Sequence, residues 1–271
     1  MSKPHSGYPG EAWEPSDHPR EALTRALLDS GAAGVNSHDR PDVLWKIQRL
    51  CDGDPDLQFG LTGVDRTPPG EVLAMMAAEG GFDPDPNLKH GPVTVDPELV
   101  LRGCEAVGDR LALAAERGEG VLLATGHPSG LPLLYQATGR LLADRGAKLL
   151  RPLEGFTWEQ DGRKRQIRYM GGVAVYTDRA SALHTHSPEP MRRMLEEVTP
   201  DLVFADHGFA GAAIEAGIET VSIADVNDPA LVVARRQGRG GPVVVMDDNV
   251  QPEAYWPCFQ AIASRFSRPG R

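Results

Sequence analysis

The stretch Val121-Leu-Leu-Ala-Thr-Gly-His-Pro-Ser-Gly130 decides how the chain is read. Its first five residues are an apolar run of strand length, and Gly126 to Gly130 breaks that run before residues 131–143 resume with apolar side chains at helical spacing. A strand, a glycine-bearing loop and a helix, in that order, open an α/β domain. The helix start turns unpaired backbone N–H groups and a positive dipole end toward the loop, a setting that suits an anion such as phosphate.

Downstream, short apolar runs alternate with helical segments. The pattern predicts strands at residues 121–125, 147–150, 172–176, 182–186, 202–206, 220–225 and 242–247, and helices at 131–143, 189–198 and 211–216. Such alternation predicts an α/β fold with a Rossmann-like, mostly parallel sheet and helices on both faces. Residues 153–168 are charged, carry Trp158 and interrupt the rhythm, which predicts a loop or hairpin near the rim of the site.

Upstream the periodicity is helical. Ala22, Leu23, Ala26 and Leu27 share a face ending near Gly31, residues 42–50 repeat the pattern, and Pro69 opens a helix that Gly80-Gly81 closes. Asp96 reads as the N-cap of a helix reaching about Arg117, with Pro97 in its first position. The expected organisation is a disordered tail at 1–18, a strand-free helical N-terminal region at 19–117 packed on the main domain, and an α/β catalytic domain at 118–265.

The 271 residues carry 28 Lys and Arg against 38 Asp and Glu, a net charge of −10, which argues against a nucleic-acid footprint. Cys51, Cys104 and Cys258 are far apart with no C-x-x-C pair, so reduced thiols in or near the core are expected rather than a disulfide framework or structural zinc. No apolar run reaches the roughly 18 residues of a membrane span, residues 1–20 lack a signal-peptide core, and a cytoplasmic location is expected.

In sheets of this kind ligands bind beyond the carboxyl ends of the strands. Those ends carry His127, then His184 and His186, then Asp206 and His207, then Asp225, Asn227 and Asp228, then Asp247, Asp248 and Asn249. The set predicts Asp206, His207 and Asp225 as catalytic groups. It predicts Gly126, His127, Ser129, Gly130 and Asn227 as phosphate contacts, and His184, His186, Asp206, Asp225 and Asp228 as metal ligands. Mixed carboxylate and imidazole donors suit a divalent ion, Mg²⁺, Mn²⁺ or Zn²⁺. Structural roles fit the same residues: Asp206 as a helix cap, Asp228 before Pro229 as a helix entry, His184 and His186 as a cross-strand pair. A metal-free site using His207 or His127 is chemically open as well. His38 and His90 fall in segments read as loops and are expected at the surface.

Familiar signatures are absent. Gly126 to Gly130 has neither the G-x-G-x-x-G order nor the Lys and Ser/Thr of a P-loop, and Ser129 is in no G-x-S-x-G elbow. Asp206-His207-Gly208 carries Asp where histidine phosphatases carry a phosphate-binding Arg. The Asp225 to Asp228 and Asp247-Asp248 groups miss the Asp-x-Asp spacing of haloacid-dehalogenase-type phosphatases.

Taken together, Ala124-Thr-Gly-His-Pro-Ser-Gly130, His184-Thr-His-Ser-Pro-Glu-Pro-Met191, Ala205-Asp-His-Gly-Phe-Ala-Gly211 and Ala224-Asp-Val-Asn-Asp-Pro-Ala230, with Thr94-Val-Asp-Pro-Glu-Leu99, resemble a family of uncharacterised actinobacterial proteins described as phosphatases. The resemblance runs through about residues 20–260 and implies phosphatase activity on an unknown substrate, without assigning residue roles. The expected function is hydrolysis of a small phosphomonoester, the partner being a small phosphorylated metabolite. The alternatives are a non-catalytic module binding an anionic metabolite or nucleotide sugar, and a metal-dependent deacylase.

Overall fold

The structure, a computed structural model, describes residues 13–160 and 162–266. It opens with α1 (Arg20–Ser30), β1 (Gly34–Asp39), α2 (Arg40–Cys51), α3 (Pro55–Gln58), α4 (Pro69–Gly80), β2 (Pro92–Val95) and α5 (Pro97–Arg117). Proline lies in the first turn of α2 to α5, where its missing N–H costs nothing, and Asp39, Asp54 and Asp96 cap α2, α3 and α5 with their carboxylates. Of these helices α1, α2, α4 and α5 fall where the apolar spacing predicts them, while the short α3 is not among the expected helices.

Two expectations for this region are corrected. It is not strand-free: β1 and β2 pair antiparallel, Gly34 opposite Val95 and Asp39 opposite Pro92. In β1 the buried residue is Asn36 rather than a hydrophobe, so no apolar alternation marks the strand in the sequence. Nor is the tail featureless up to residue 18. Trp13 is buried against Phe259, and the Ser16 N–H donates to Gln260 Oε1; residues 1–12 of the expected tail lie outside the described residues.

The chain continues with β3 (Gly120–Thr125), α6 (Pro132–Asp144), β4 (Lys148–Leu149), β5 (Thr157–Gln160), β6 (Arg163–Met170), β7 (Val173–Asp178) and β8 (Ser181–Ala182). Then come α7 (Glu189–Glu197), β9 (Leu202–Asp206), α8 (His207–Glu215), β10 (Thr220–Ala224), α9 (Ala230–Arg236), β11 (Val243–Val245) and α10 (Trp256–Ala263). The strand order is β11-β10-β9-β3-β7-β6-β5, with β4 on β3 and β8 on β7.

From β11 to β7 the strands are parallel; β7, β6, β5 and β8 pair antiparallel. The sheet is therefore mixed, a correction to the mostly parallel, Rossmann-like expectation. Residues 153–168 supply part of the difference. Gln160 faces Arg163 and Met170 faces Val173, connections too short for the crossover that a parallel pair needs. Of the strand expected at 182–186 only Ala182 pairs in the sheet, as part of β8, and α8 begins at His207 rather than near 211.

The central strands β9 and β10 are buried throughout, as both faces of a covered sheet require. α6 leads from β3 toward β4, while α8 and α9 lead from β9 to β11 in the opposite direction. Right-handed crossovers place these helices on opposite faces. The winding reverses between β3 and β9, and a crevice opens beyond the carboxyl ends at such a point. Cys104 and Cys258 are free thiols in the core, and Cys51 is partly buried. No helix of the described residues is long and apolar enough to cross a membrane.

Candidate active site at the carboxyl ends of the strands

Two close backbone approaches shape the crevice. A Cβ at Gly126 would stand 2.4 Å from Thr185 O. The bare glycine instead lets its N–H donate to Asp206 Oδ1 at 2.7 Å while its carbonyl accepts from Thr185 N at 2.9 Å. At Gly208 a Cβ would meet His186 O at 2.2 Å and Ser187 O at 2.3 Å. The segment bearing His184 and His186 is thus laid against the end of β3 and the first turn of α8. His207 opens α8 with φ at +45°, a conformation that costs a non-glycine residue on the order of 1–3 kcal/mol.

The side chains converge on His207. Its Nδ1 lies 2.8 Å from Asp206 Oδ1, and its Nε2 lies 3.2 Å from Asp228 Oδ2 and 3.6 Å from Asp248 Oδ2. His186 stacks on it with ring centres 4.9 Å apart, and His184 meets it edge-on at 5.3 Å. His127 lies 4.9 Å from His184, with its Nε2 3.9 Å from Asp248 Oδ1.

Charge is concentrated here. Asp206, Asp225, Asp228, Asp247 and Asp248 are all buried. Lys46 of α2 reaches Asp228 Oδ1 at 3.2 Å. Burial works against protonation of His207, yet its bonds to Asp206 and Asp228 outweigh it and hold the ring well above the ordinary histidine range. Asp228 is held low because His207 and Lys46 outweigh its burial. Burial, then the charge of Asp225, pushes Asp248 well up. His184 keeps an open side, yet its loss of surrounding water, aided by His207, brings it down to about 4. His127 and His186 are also lowered, by burial first.

Two sets of side chains bring ligand atoms within 4.8 Å of one another: His184, His186 and His207; and His207, Asp228 and Asp248. The donor chemistry fits a divalent cation. Asp206 occupies Nδ1 of His207 and leaves Nε2 toward the two carboxylates, as outer carboxylates do for metal-binding histidines. Asp248 Oδ2 is buried without a hydrogen bond among the described residues.

Of the residues singled out in the sequence, His127, His184, His186, Asp206, His207 and Asp228 come together. Asp248, noted at a strand end without a role, joins them. Asp225 sits beside the cluster with its oxygens taken by Asn36 Nδ2, Val226 N and Asp248 N. Asn227 Nδ2 donates to Asp42 Oδ2 at 2.6 Å, while its Oδ1 is buried without a hydrogen bond among the described residues. In the loop after β3, the Gly126 N–H is given to Asp206 and the Gly130 N–H to His127 O, and Ser129 is exposed.

Residues from the N-terminal region went unread. Asn36 holds Asp225, Ser37 holds Asp247 through both N–H and hydroxyl, and Lys46 holds Asp228. His90 is exposed as expected, but His38 is not a simple surface residue: its Nδ1 is 2.8 Å from Asp42 Oδ2 and its Nε2 3.9 Å from Asp225 Oδ2. The available signal was His38 four residues before Asp42 at a helix start; nothing in it says that this helix reaches the sheet edge.

A family model described as Phosphatase matches residues 18–269. A Streptomyces coelicolor protein that bears the name phosphatase is 37% identical over 249 residues, covering 89% of this chain and 94% of that protein. The matched region contains every residue of the crevice, from Asn36 to Asp248. The chain belongs to the Phosphatase family.

Proposed function

We propose that the protein hydrolyses a small phosphomonoester at the His207, Asp228 and Asp248 cluster, with a divalent cation held there. The observation that carries the reading is the setting of His207. One ring nitrogen is fixed by Asp206, and the other faces two buried carboxylates, of which Asp248 has an oxygen that makes no hydrogen bond among the described residues. Buried carboxylates are costly unless paired or bound to a metal, and Lys46 compensates only Asp228.

His207, Asp228 and Asp248 would hold the ion, with His184 and His186, which form a second set with His207, as further donors. His184 and His186 are held below the ordinary histidine range and keep their lone pairs available, whereas His207, held above it by Asp206 and Asp228, would give up its Nε2 proton on binding the ion. The mixed nitrogen and oxygen set suits Zn²⁺ or Mn²⁺ better than Mg²⁺. When bound, the ion supplies positive charge to the phosphoryl group and makes water a better nucleophile. Asp206 orients His207, and His127 borders the same space as a hydrogen-bonding group. The first turns of α6 and α8 follow β3 and β9 at this edge, and their dipoles favour an anion. The net charge of −10 favours a small phosphorylated metabolite over a polyanion. Residues from 118 onward supply the groups that would hold the ion, and the 19–117 region adds Asn36, Ser37, His38 and Lys46 at the same strand ends.

The test is phosphate release from a panel of phosphomonoesters, together with measured metal content, before and after chelation and after adding back Zn²⁺, Mn²⁺ or Mg²⁺. Loss of turnover on chelation and recovery with one ion is expected. Full turnover by the metal-free protein would overturn the metal; no release from any ester by metal-loaded protein would overturn the hydrolysis.

A further inference from the structure

Resting on that reading, the geometry points to His38, oriented by Asp42, as the group that gives a proton to the leaving oxygen of the phosphomonoester. Asp42 Oδ2 lies 2.8 Å from His38 Nδ1 and also accepts from Asn227 Nδ2 at 2.6 Å, so the ring is anchored to the segment that carries Asp228. Its Nε2 is 3.9 Å from Asp225 Oδ2, beyond hydrogen-bond reach, and Asp225 already accepts from three donors. A ring with protons on both nitrogens therefore gives one to Asp42 and has one left to transfer.

The position suits the task. Lys46 stands one turn after Asp42 on α2 and reaches Asp228, so α2 spans from the dyad to the proposed ion site. The His38 side chain is 31% exposed, whereas that of Asp225 beneath it is 1% exposed, so the ring stands between the crevice floor and solvent. In the reaction the phosphorus–oxygen bond to the leaving group breaks as a water oxygen joins phosphorus. The electron pair of the broken bond takes the Nε2 proton and the alcohol departs. The ring then regains a proton from solvent, and the proton lost by water leaves with phosphate or solvent.

A strut that merely ties β1 to α2 would serve all substrates alike; a proton donor matters only where the leaving oxygen is basic. The experiment measures kcat/KM of metal-loaded wild type, His38→Gln and Asp42→Asn on aryl phosphates of graded leaving-group acidity, from 4-nitrophenyl phosphate to phenyl phosphate, and on glycerol 2-phosphate. Melting temperatures are measured in parallel. Expected for His38→Gln is a loss of roughly 10²-fold or more on glycerol 2-phosphate, the usual scale for general acid catalysis, with little loss on 4-nitrophenyl phosphate and a steeper dependence on leaving-group pKa. Asp42→Asn should shift the dependence the same way, less strongly, and it tests the dyad if His38→Gln unfolds. Equal losses on all esters, or none, would overturn the role of His38 while leaving the hydrolase reading intact. A wild type inert toward every ester would overturn both.

Discussion

Asp206→Asn is the most discriminating single change at the crevice. Asp206 Oδ1 accepts both the Gly126 N–H at 2.7 Å and His207 Nδ1 at 2.8 Å, so an amide oxygen in its place keeps both contacts, while the amide NH2 takes the place of Oδ2, which makes no hydrogen bond among the described residues. A hydrogen bond to a charged group is worth about 1 kcal/mol more than a neutral one, and two such bonds meet at this oxygen. Only the bond to His207 bears on the ion, so the loss of metal affinity is roughly 1 kcal/mol, or about fivefold, just below the range of about 10- to 100-fold for outer carboxylates of metal-binding histidines. The assay is metal affinity by competition with a chromogenic chelator, alongside phosphate release and thermal melting. Affinity and turnover should fall together. Removing a buried charge while keeping its contacts should move the melting temperature by only a few degrees. Unchanged metal affinity in a folded Asp206→Asn protein would refute the reasoning, since His207 would then not depend on its carboxylate.

Three further outcomes are expected. Asp225→Asn places an amide N–H against the Asp248 N–H, which now donates to Asp225 Oδ2 at 3.3 Å, so melting temperature should drop while metal affinity stays near wild type; a selective loss of affinity would make Asp225 a ligand. Gly208→Ala drives a methyl into the backbone at His186 and Ser187 and should cost about 1–3 kcal/mol with loss of turnover. Gly70→Ala, with open space around it in α4, should be neutral or slightly stabilising, and equal effects would contradict the contact. His184, lowered to about 4, binds fewer protons folded than unfolded as the pH falls below its ordinary value of 6.5. In chelator, wild type should therefore lose stability relative to His184→Gln between about pH 6.5 and 4, and a pH-independent difference in melting temperature would contradict the shift.

The legible parts of the molecule are those in which one physical signal acts alone. Buried central strands such as Leu202–Asp206 announce themselves as apolar runs, and helices such as Pro97–Arg117 through cap, proline and spacing. Strand ends bearing His127, Asp206, His207 and Asp228 follow from those runs, because carboxyl ends of parallel strands share an edge. What hid was polar structure whose partners lie far away. Arg163–Met170 opens with three consecutive cations and shows no apolar alternation, and β1 buries Asn36 because Asp225 awaits it 189 residues later. His38 and Lys46 meet their carboxylates only across the fold, and no local window contains that information.

The bonds from Asn36 and Ser37 to Asp225 and Asp247 also set an order of assembly. Ser37 and Asp247 are 210 residues apart, so an early-made part of the crevice waits, unanchored, for a late-made one. Contacts of such separation form late, after the local helices and the central strands. A fragment lacking β1 would present Asp225 and Asp247 without their braces, and a ribosome-bound chain ending before β11 would lack Asp247 and Asp248 altogether. Competence to act on phosphate would then arrive at once, with the closing of the last strand, rather than growing with the length of the chain.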